Sequence, residues 1–167
     1  MKRNVCKAVS VLLSVFLFAA PLFALPEVRE QFAIVFPLMA PKLSSKFGSR
    51  RHPVYRYQRH HSGVDLAAPM NSHVRAVSGG TVVFADSYKG YGKLVTIEHE
   101  QGYASMYGHL NEISVNPGQV VKAGDIIGRV GETGVATGPH LHFEWRQAGK
   151  IIDPLKVFPS LTAKASG

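Results

Sequence analysis

Two histidines separated by one apolar residue, His140-Leu141-His142, follow a Gly138-Pro139 turn and open a β-prone run through Phe143 and Glu144. On an extended strand, residues i and i+2 point to one face, so this spacing sets two imidazoles side by side. Neighbouring imidazoles serve as metal ligands or as acid/base groups near neutral pH. A His-x-His pair also arises by chance, so its weight depends on donors elsewhere in the chain. Such donors are present. His61 and Asp65 stand four residues apart in His61-Ser62-Gly63-Val64-Asp65, with Gly63 between them to let the backbone turn tightly. The Leu66-Ala67-Ala68-Pro69 that follows points to a loop running into the core, not to a helix carrying both groups. His109 ends a third, aromatic and β-prone run that starts at Tyr103. A catalytic zinc site takes three nitrogen or carboxylate ligands and keeps its fourth position for water. This chain can supply three and still have imidazoles left for proton transfer.

The motifs around these residues are longer than the donors themselves. His61 with Asp65, His109 in Tyr107-Gly108-His109-Leu110, and Thr137-Gly138-Pro139-His140-Leu141-His142-Phe143-Glu144 resemble the three signature blocks of the lysostaphin-like zinc endopeptidases. Phe47-Gly48-Ser49-Arg50-Arg51-His52-Pro53 is similar to that family's opening motif, and the resemblance runs from about Lys42 to Phe158. It implies that His61, Asp65 and His142 bind one zinc ion, and that His109 and His140 are catalytic histidines outside the ligand set. It also implies a substrate, the peptide cross-links of bacterial peptidoglycan. Zinc would polarise the scissile carbonyl and activate water, while His109 and His140 stabilise the developing oxyanion or pass a proton to the leaving amine. Which histidine does which stays open. The His-Glu-x-x-His helix of other zinc proteases is absent, because Tyr103 stands where the second histidine after His99-Glu100 would fall.

Members of the same family that have lost zinc ligands act as activators of separate wall amidases, which makes a non-hydrolytic binding protein the main alternative. Every metal and catalytic position is present here, and that favours hydrolysis. In some relatives an N-terminal asparagine plugs the zinc site. Residues 25–69 hold no asparagine, which leaves Gln31 or the whole lead-in as the occluding candidate. The bond itself, D-alanyl to a diamino acid or a glycine bridge, is not legible, although a short domain favours the former.

His52, His60, His73 and His99 have no place in this set and read as ordinary surface or strand histidines. Glu144 shares a strand face with His142 and is either a partner that orients an imidazole or a strand-end charge.

The N-terminus reads as an export signal. Lys2, Arg3 and Lys7 precede an apolar stretch from Ala8 to Ala20, and cleavage is expected after Ala24. That stretch is short of the ~20 residues of a comfortable membrane span. Membrane attachment is expected only if the segment stays uncleaved. The exported chain would then work in the periplasm or outside the cell. Cys6, the only cysteine, precedes the apolar stretch, which excludes a disulfide scaffold and a cysteine nucleophile. Stability must come from burial, and roughly 140 residues suffice for one core.

Lysine and arginine number 19 against 11 acidic residues, and 16 against 11 without the three N-terminal cations. A basic exported protein suits acidic cell-wall polymers or an anionic membrane face, and not nucleic acid. A monomer is expected.

No repeat or flexible linker divides the chain. The expected organisation is a signal over 1–24, a lead-in over 25–41, one zinc endopeptidase domain over 42–160 and a tail over 161–167. The lead-in could hold a short helix at Glu27–Phe32 or run extended, ended by Pro37 and Pro41. From Ser72 onward, short β-prone runs alternate with glycine turns: Val74–Val77, Thr81–Ala85, Leu94–His99, Tyr103–His109, Ile126–Val130 and Leu141–Arg146. The fold class is therefore mainly β, with antiparallel sheets in the hammerhead-like arrangement that the resemblance implies. Pro117–Asp125 also resembles a hairpin of lipoyl- and biotinyl-carrier domains, but the export signal and the donor set argue against a carrier.

Overall fold

The computed structural model describes residues 33–51 and 58–159. The signal segment, the Glu27–Phe32 helix, Gln31, His52 and the tail lie outside the described residues. Among the described residues, twelve strands follow one another: β1 (Lys42–Ser45), β2 (Gly48–Arg51), β3 (Gln58–His61), β4 (Val64–Ala67), β5 (His73–Arg75), β6 (Gly80–Ser87), β7 (Lys93–Glu98), β8 (Tyr103–Ile113), β9 (Val120–Val121), β10 (Ile126–Val130), β11 (His140–Gln147) and β12 (Lys150–Ile152). A four-residue helix, α1 (Pro154–Val157), closes the series, capped by the Asp153 carboxylate on the Leu155 N–H at 3.0 Å. Among the described residues, no helix is long and apolar enough to cross a membrane.

The main sheet is antiparallel and runs β1-β4-β11-β8-β7-β6-β9, with β10 paired to β8 and β5, and β12 to β11; β2 and β3 form a separate hairpin. The mainly β, antiparallel class expected from the glycine-punctuated pattern is the one observed. The alternation of β11 explains its central place. Leu141, Phe143 and Trp145 enter the hydrophobic core, whereas His140 and His142 line a cleft on the opposite face. Val64 and Leu66 of β4 and Tyr107 of β8 pack into the same core. Leu38, upstream of β1, is buried with them, and Arg75 and Val35 tie residues 33–41 down through the Arg75 N–H to Pro37 carbonyl bond (2.9 Å) and the Val35 N–H to Val77 carbonyl bond (2.8 Å).

Two expectations change. Asp65 sits on β4 and not in a loop, because Val64 and Leu66 bury themselves between β1 and β11, which needs a paired, extended backbone. Gly63 has no left-handed backbone. It is needed because a Cβ there would lie 2.3 Å from the Phe143 carbonyl oxygen of the adjoining strand.

A buried polar chain crosses the far side of the sheet. His99 donates from Nδ1 to the Gly79 carbonyl (2.8 Å), and its Nε2 meets Ser105 Oγ at 2.8 Å. Ser105 Oγ meets the Tyr107 hydroxyl at 2.9 Å, and that hydroxyl accepts from the Val77 N–H at 2.9 Å. His99, directly after β7, is thus a buried cross-link, stacked on Trp145 with centroids 5.3 Å apart. Burial pushes its pKa below the usual 6.5, only partly offset by the Gly79 bond. Below pH 6.5 the unfolded chain therefore binds this proton first, and the fold loses stability as pH falls. Denaturant unfolding of the wild type and His99→Gln at about pH 7 and about pH 5 should show the steeper loss in the wild type. Parallel losses would remove His99 from the account.

Candidate metal centre and catalytic cleft

Strand register brings the donors together. On the β11–β4 ladder, His142 stands opposite Asp65 and His140 opposite Ala67. A one-residue slip would turn every one of these side chains to the wrong face. His61 ends β3, and the Ser62-Gly63 corner returns the chain so that His61 and Asp65 meet. His61 Nε2 lies 3.0 Å from Asp65 Oδ1, His142 Nδ1 lies 2.9 Å from the same oxygen, and the two nitrogens are 3.1 Å apart. All three residues are buried. Burial alone would raise the Asp65 pKa, but hydrogen bonds with His142 and His61 outweigh it and hold the carboxyl well below the carboxylate range.

His140 and His109 sit beside this triad without joining it. His140 Nε2 is 3.8 Å from Asp65 Oδ1, and the His109 and His140 rings are 4.7 Å apart. Each donates from Nδ1 to a backbone carbonyl: His140 to Gly138 at 2.8 Å, His109 to Thr133 at 2.7 Å. That assigns the lone pair of both rings to Nε2. Burial pushes the His109 pKa down to about 4, so its imidazole is neutral at pH 7 and can accept a proton.

A backbone irregularity aims His109. The β8 register shifts against β7 between the pairs Lys93↔Leu110 and Val95↔Tyr107, which leaves one extra residue on β8. His109 takes up that bulge in the left-handed region at φ 61°, which costs roughly 1–2 kcal/mol for a residue with a Cβ. Gly108 beside it leaves room for the Tyr91 ring, whose Cδ1 would be 3.3 Å from a Cβ there. Thr133 locks the bulge from the other side. Its hydroxyl donates to the Leu110 carbonyl (2.7 Å) and accepts from the Lys93 N–H (3.0 Å).

These groups line a cleft of about 730 Å³, walled by Ser44 and Ser45 on one side and by Tyr91 and the Val135–Pro139 loop on the other. Residues 59–154, more than half of the chain, match Peptidase family M23. The chain belongs to this family.

The M23 chain is 39% identical over 116 residues to the peptidoglycan DD-endopeptidase ShyA of Vibrio cholerae, an alignment that covers 69% of this chain and 27% of ShyA. It spans less than a third of the length of such curated M23 relatives. A zinc-containing peptidase from Vibrio cholerae superposes with a TM-score of 0.67 at 36% identity, covering 72% of this chain and 39% of that one. The catalytic domain of the antimicrobial peptidase lysostaphin from Staphylococcus simulans superposes with a TM-score of 0.64 at 31% identity, covering 73% and 92%.

Of the residues singled out in the sequence, the M23 fold gathers His61, Asp65, His109, His140 and His142 at one cleft. It also brings His60 to the cleft wall, edge-on to Phe47 with centroids 4.9 Å apart, and leaves His73 exposed on β5. Tyr91 and Thr133 escaped sequence reasoning. Their loops carry only glycine punctuation, and their partners are more than twenty residues away.

Proposed function

We propose that this chain is an exported zinc-dependent endopeptidase that hydrolyses peptide cross-links of bacterial peptidoglycan. The observation that carries this reading is the triad itself: two imidazole nitrogens and one carboxylate oxygen within 3.1 Å of one another, with His140 Nε2 3.8 Å from the Asp65 oxygen and the His109 ring 5.8 Å from that of His142. The fit to zinc is good in chemistry and in size. A nitrogen, nitrogen, oxygen donor set is the usual catalytic one, and ligands at about 2.0–2.2 Å from a tetrahedral ion are about 3.3–3.6 Å apart, so the 2.9–3.1 Å separations here open by only a few tenths of an ångström. His61 Nδ1–H donates to the Lys46 carbonyl at 2.8 Å, which leaves its Nε2 lone pair for the ion. A zinc ion held by His61, Asp65 and His142 supplies Lewis acidity toward the scissile carbonyl and makes water a competent nucleophile near neutral pH.

The other steps belong to the protein. His109 and His140 present Nε2 lone pairs to the same space, so one takes the proton of the attacking water and returns it to the leaving amine. Once protonated, that imidazolium stands beside the developing oxyanion and stabilises it. The cleft walls give an extended peptide a surface to lie along across the triad. The kinship with a peptidoglycan DD-endopeptidase supports this substrate and favours the D-alanyl cross-link over a glycine bridge.

Purified protein should contain one zinc per chain by elemental analysis, and should generate new D-alanyl termini from defined cross-linked muropeptides by mass spectrometry. Protein without zinc would sink the reading. Zinc-loaded protein that cuts neither muropeptides nor glycine bridges would turn it toward a wall-binding activator.

A further inference from the structure

Glu144 is fully buried, yet its two carboxylate oxygens are surrounded by donors. Oε1 accepts from His142 Nε2–H at 3.1 Å, from the Tyr91 hydroxyl at 2.7 Å and from the Ser62 hydroxyl. Oε2 accepts from Arg146 Nε at 2.9 Å and Nη2 at 2.6 Å. These donors come from four places in the chain: the β3–β4 corner, the turn before β7, and two positions on β11. A buried carboxylate without such partners would be strongly destabilising, so this cluster exists to keep a charge where it stands.

We propose that Glu144, fixed by Arg146, Tyr91 and Ser62, is the positioning residue that decides which nitrogen of His142 faces the metal. This rests on the reading of His61, Asp65 and His142 as the zinc site. The His142 ring could present either nitrogen to the triad after a flip. A carboxylate beyond it demands an N–H at Nε2 and so leaves the lone pair on Nδ1, beside Asp65. The imidazoles of His61, His109 and His140 are oriented by neutral backbone carbonyls, those of Lys46, Thr133 and Gly138. His142 alone of these four is oriented by a full negative charge, which also makes it the most basic donor of the set. Arg146 balances that charge, and Tyr91, whose ring lies 5.5 Å from that of His142, covers it on the cleft side.

The test is zinc affinity, measured by chelator competition on folded protein, together with the visible spectrum of the cobalt-substituted form. Glu144→Leu should weaken zinc binding by roughly 10–100-fold, the usual effect of removing a ligand's outer partner. Glu144→Gln keeps an acceptor for His142 but no charge, and should fall between wild type and Glu144→Leu. Its cobalt spectrum should shift from that of the wild type. Should Glu144→Leu fail to fold, Glu144→Gln decides alone. Wild-type affinity in a folded Glu144→Leu, or wild-type affinity and spectrum in Glu144→Gln, would overturn the proposal and leave the zinc site standing. Wild-type protein that binds no zinc would instead remove the reading on which it rests.

Discussion

His142→Ala should abolish both zinc binding and hydrolysis, whereas His140→Ala should abolish hydrolysis and keep most of the zinc. The two residues share a strand face and differ by one pleat, but their distances to Asp65 Oδ1 separate them. His142 Nδ1 is at 2.9 Å and also 3.1 Å from His61 Nε2, within reach of one small ion. His140 Nε2 is at 3.8 Å and its ring is turned toward His109. Removing His142 leaves two ligands and frees the Glu144 carboxylate of its imidazole partner. The affinity loss should therefore exceed roughly 100-fold, beyond the loss of an outer partner alone. Removing His140 takes away one of two proton carriers, and general acid/base groups contribute about 10²–10⁴ in rate. Isothermal titration with zinc and single-turnover cleavage of a muropeptide read the two effects separately. Equal zinc loss in both variants would show that the division of labour within His140-Leu141-His142 is wrong.

The shared face of His140 and His142 was readable because strand periodicity is a local property, whereas their separate roles rest on the family resemblance. A β-prone run after Gly138-Pro139 puts residues 140, 142 and 144 on one face whatever else the chain does, and β6, β7, β8 and β10 were legible for the same reason. The short strands were not. β1 and β4 carry serines and an aspartate, residues with weak strand preference, and pair only because Leu66 and Val64 are drawn between neighbours distant in sequence, while the histidine-ending β3 pairs only with β2. Asp65 therefore looked like a loop residue. His109 was legible as a chemical group but not as a bulge, since a left-handed histidine has no sequence mark. Glu144 was ambiguous because its character depends on Ser62, Tyr91 and Arg146, two of which lie more than fifty residues away. The chemistry was visible where it rests on pleat and motif. It was hidden where it rests on a hydrogen bond between remote loops.

Gly63→Ala should be the small substitution that couples stability most directly to the metal centre. Its expected effect follows from space and not from backbone freedom. A Cβ at this position would fall 2.3 Å from the Phe143 carbonyl oxygen and 2.9 Å from its carbon, both backbone atoms of the central strand β11. Neither can swing aside, so β4 or β11 must move. Overpacking of this kind costs about 3 kcal/mol at its upper range. At roughly 2–4 °C per kcal/mol, Tm should fall by about 10 °C. The displacement acts at the corner that sets His61 against Asp65, and on the strand that carries His142, so zinc affinity should fall with stability. Gly79→Ala is the matched control, because a Cβ there would meet the Val121 carbonyl at an ordinary 3.5 Å. Calorimetry of both variants, with and without zinc, distinguishes the outcomes. A Gly63→Ala protein that melts and binds zinc like Gly79→Ala would mean that β4 and β11 are not held as close as their ladder requires. The register that pairs His142 with Asp65 would then need another cause.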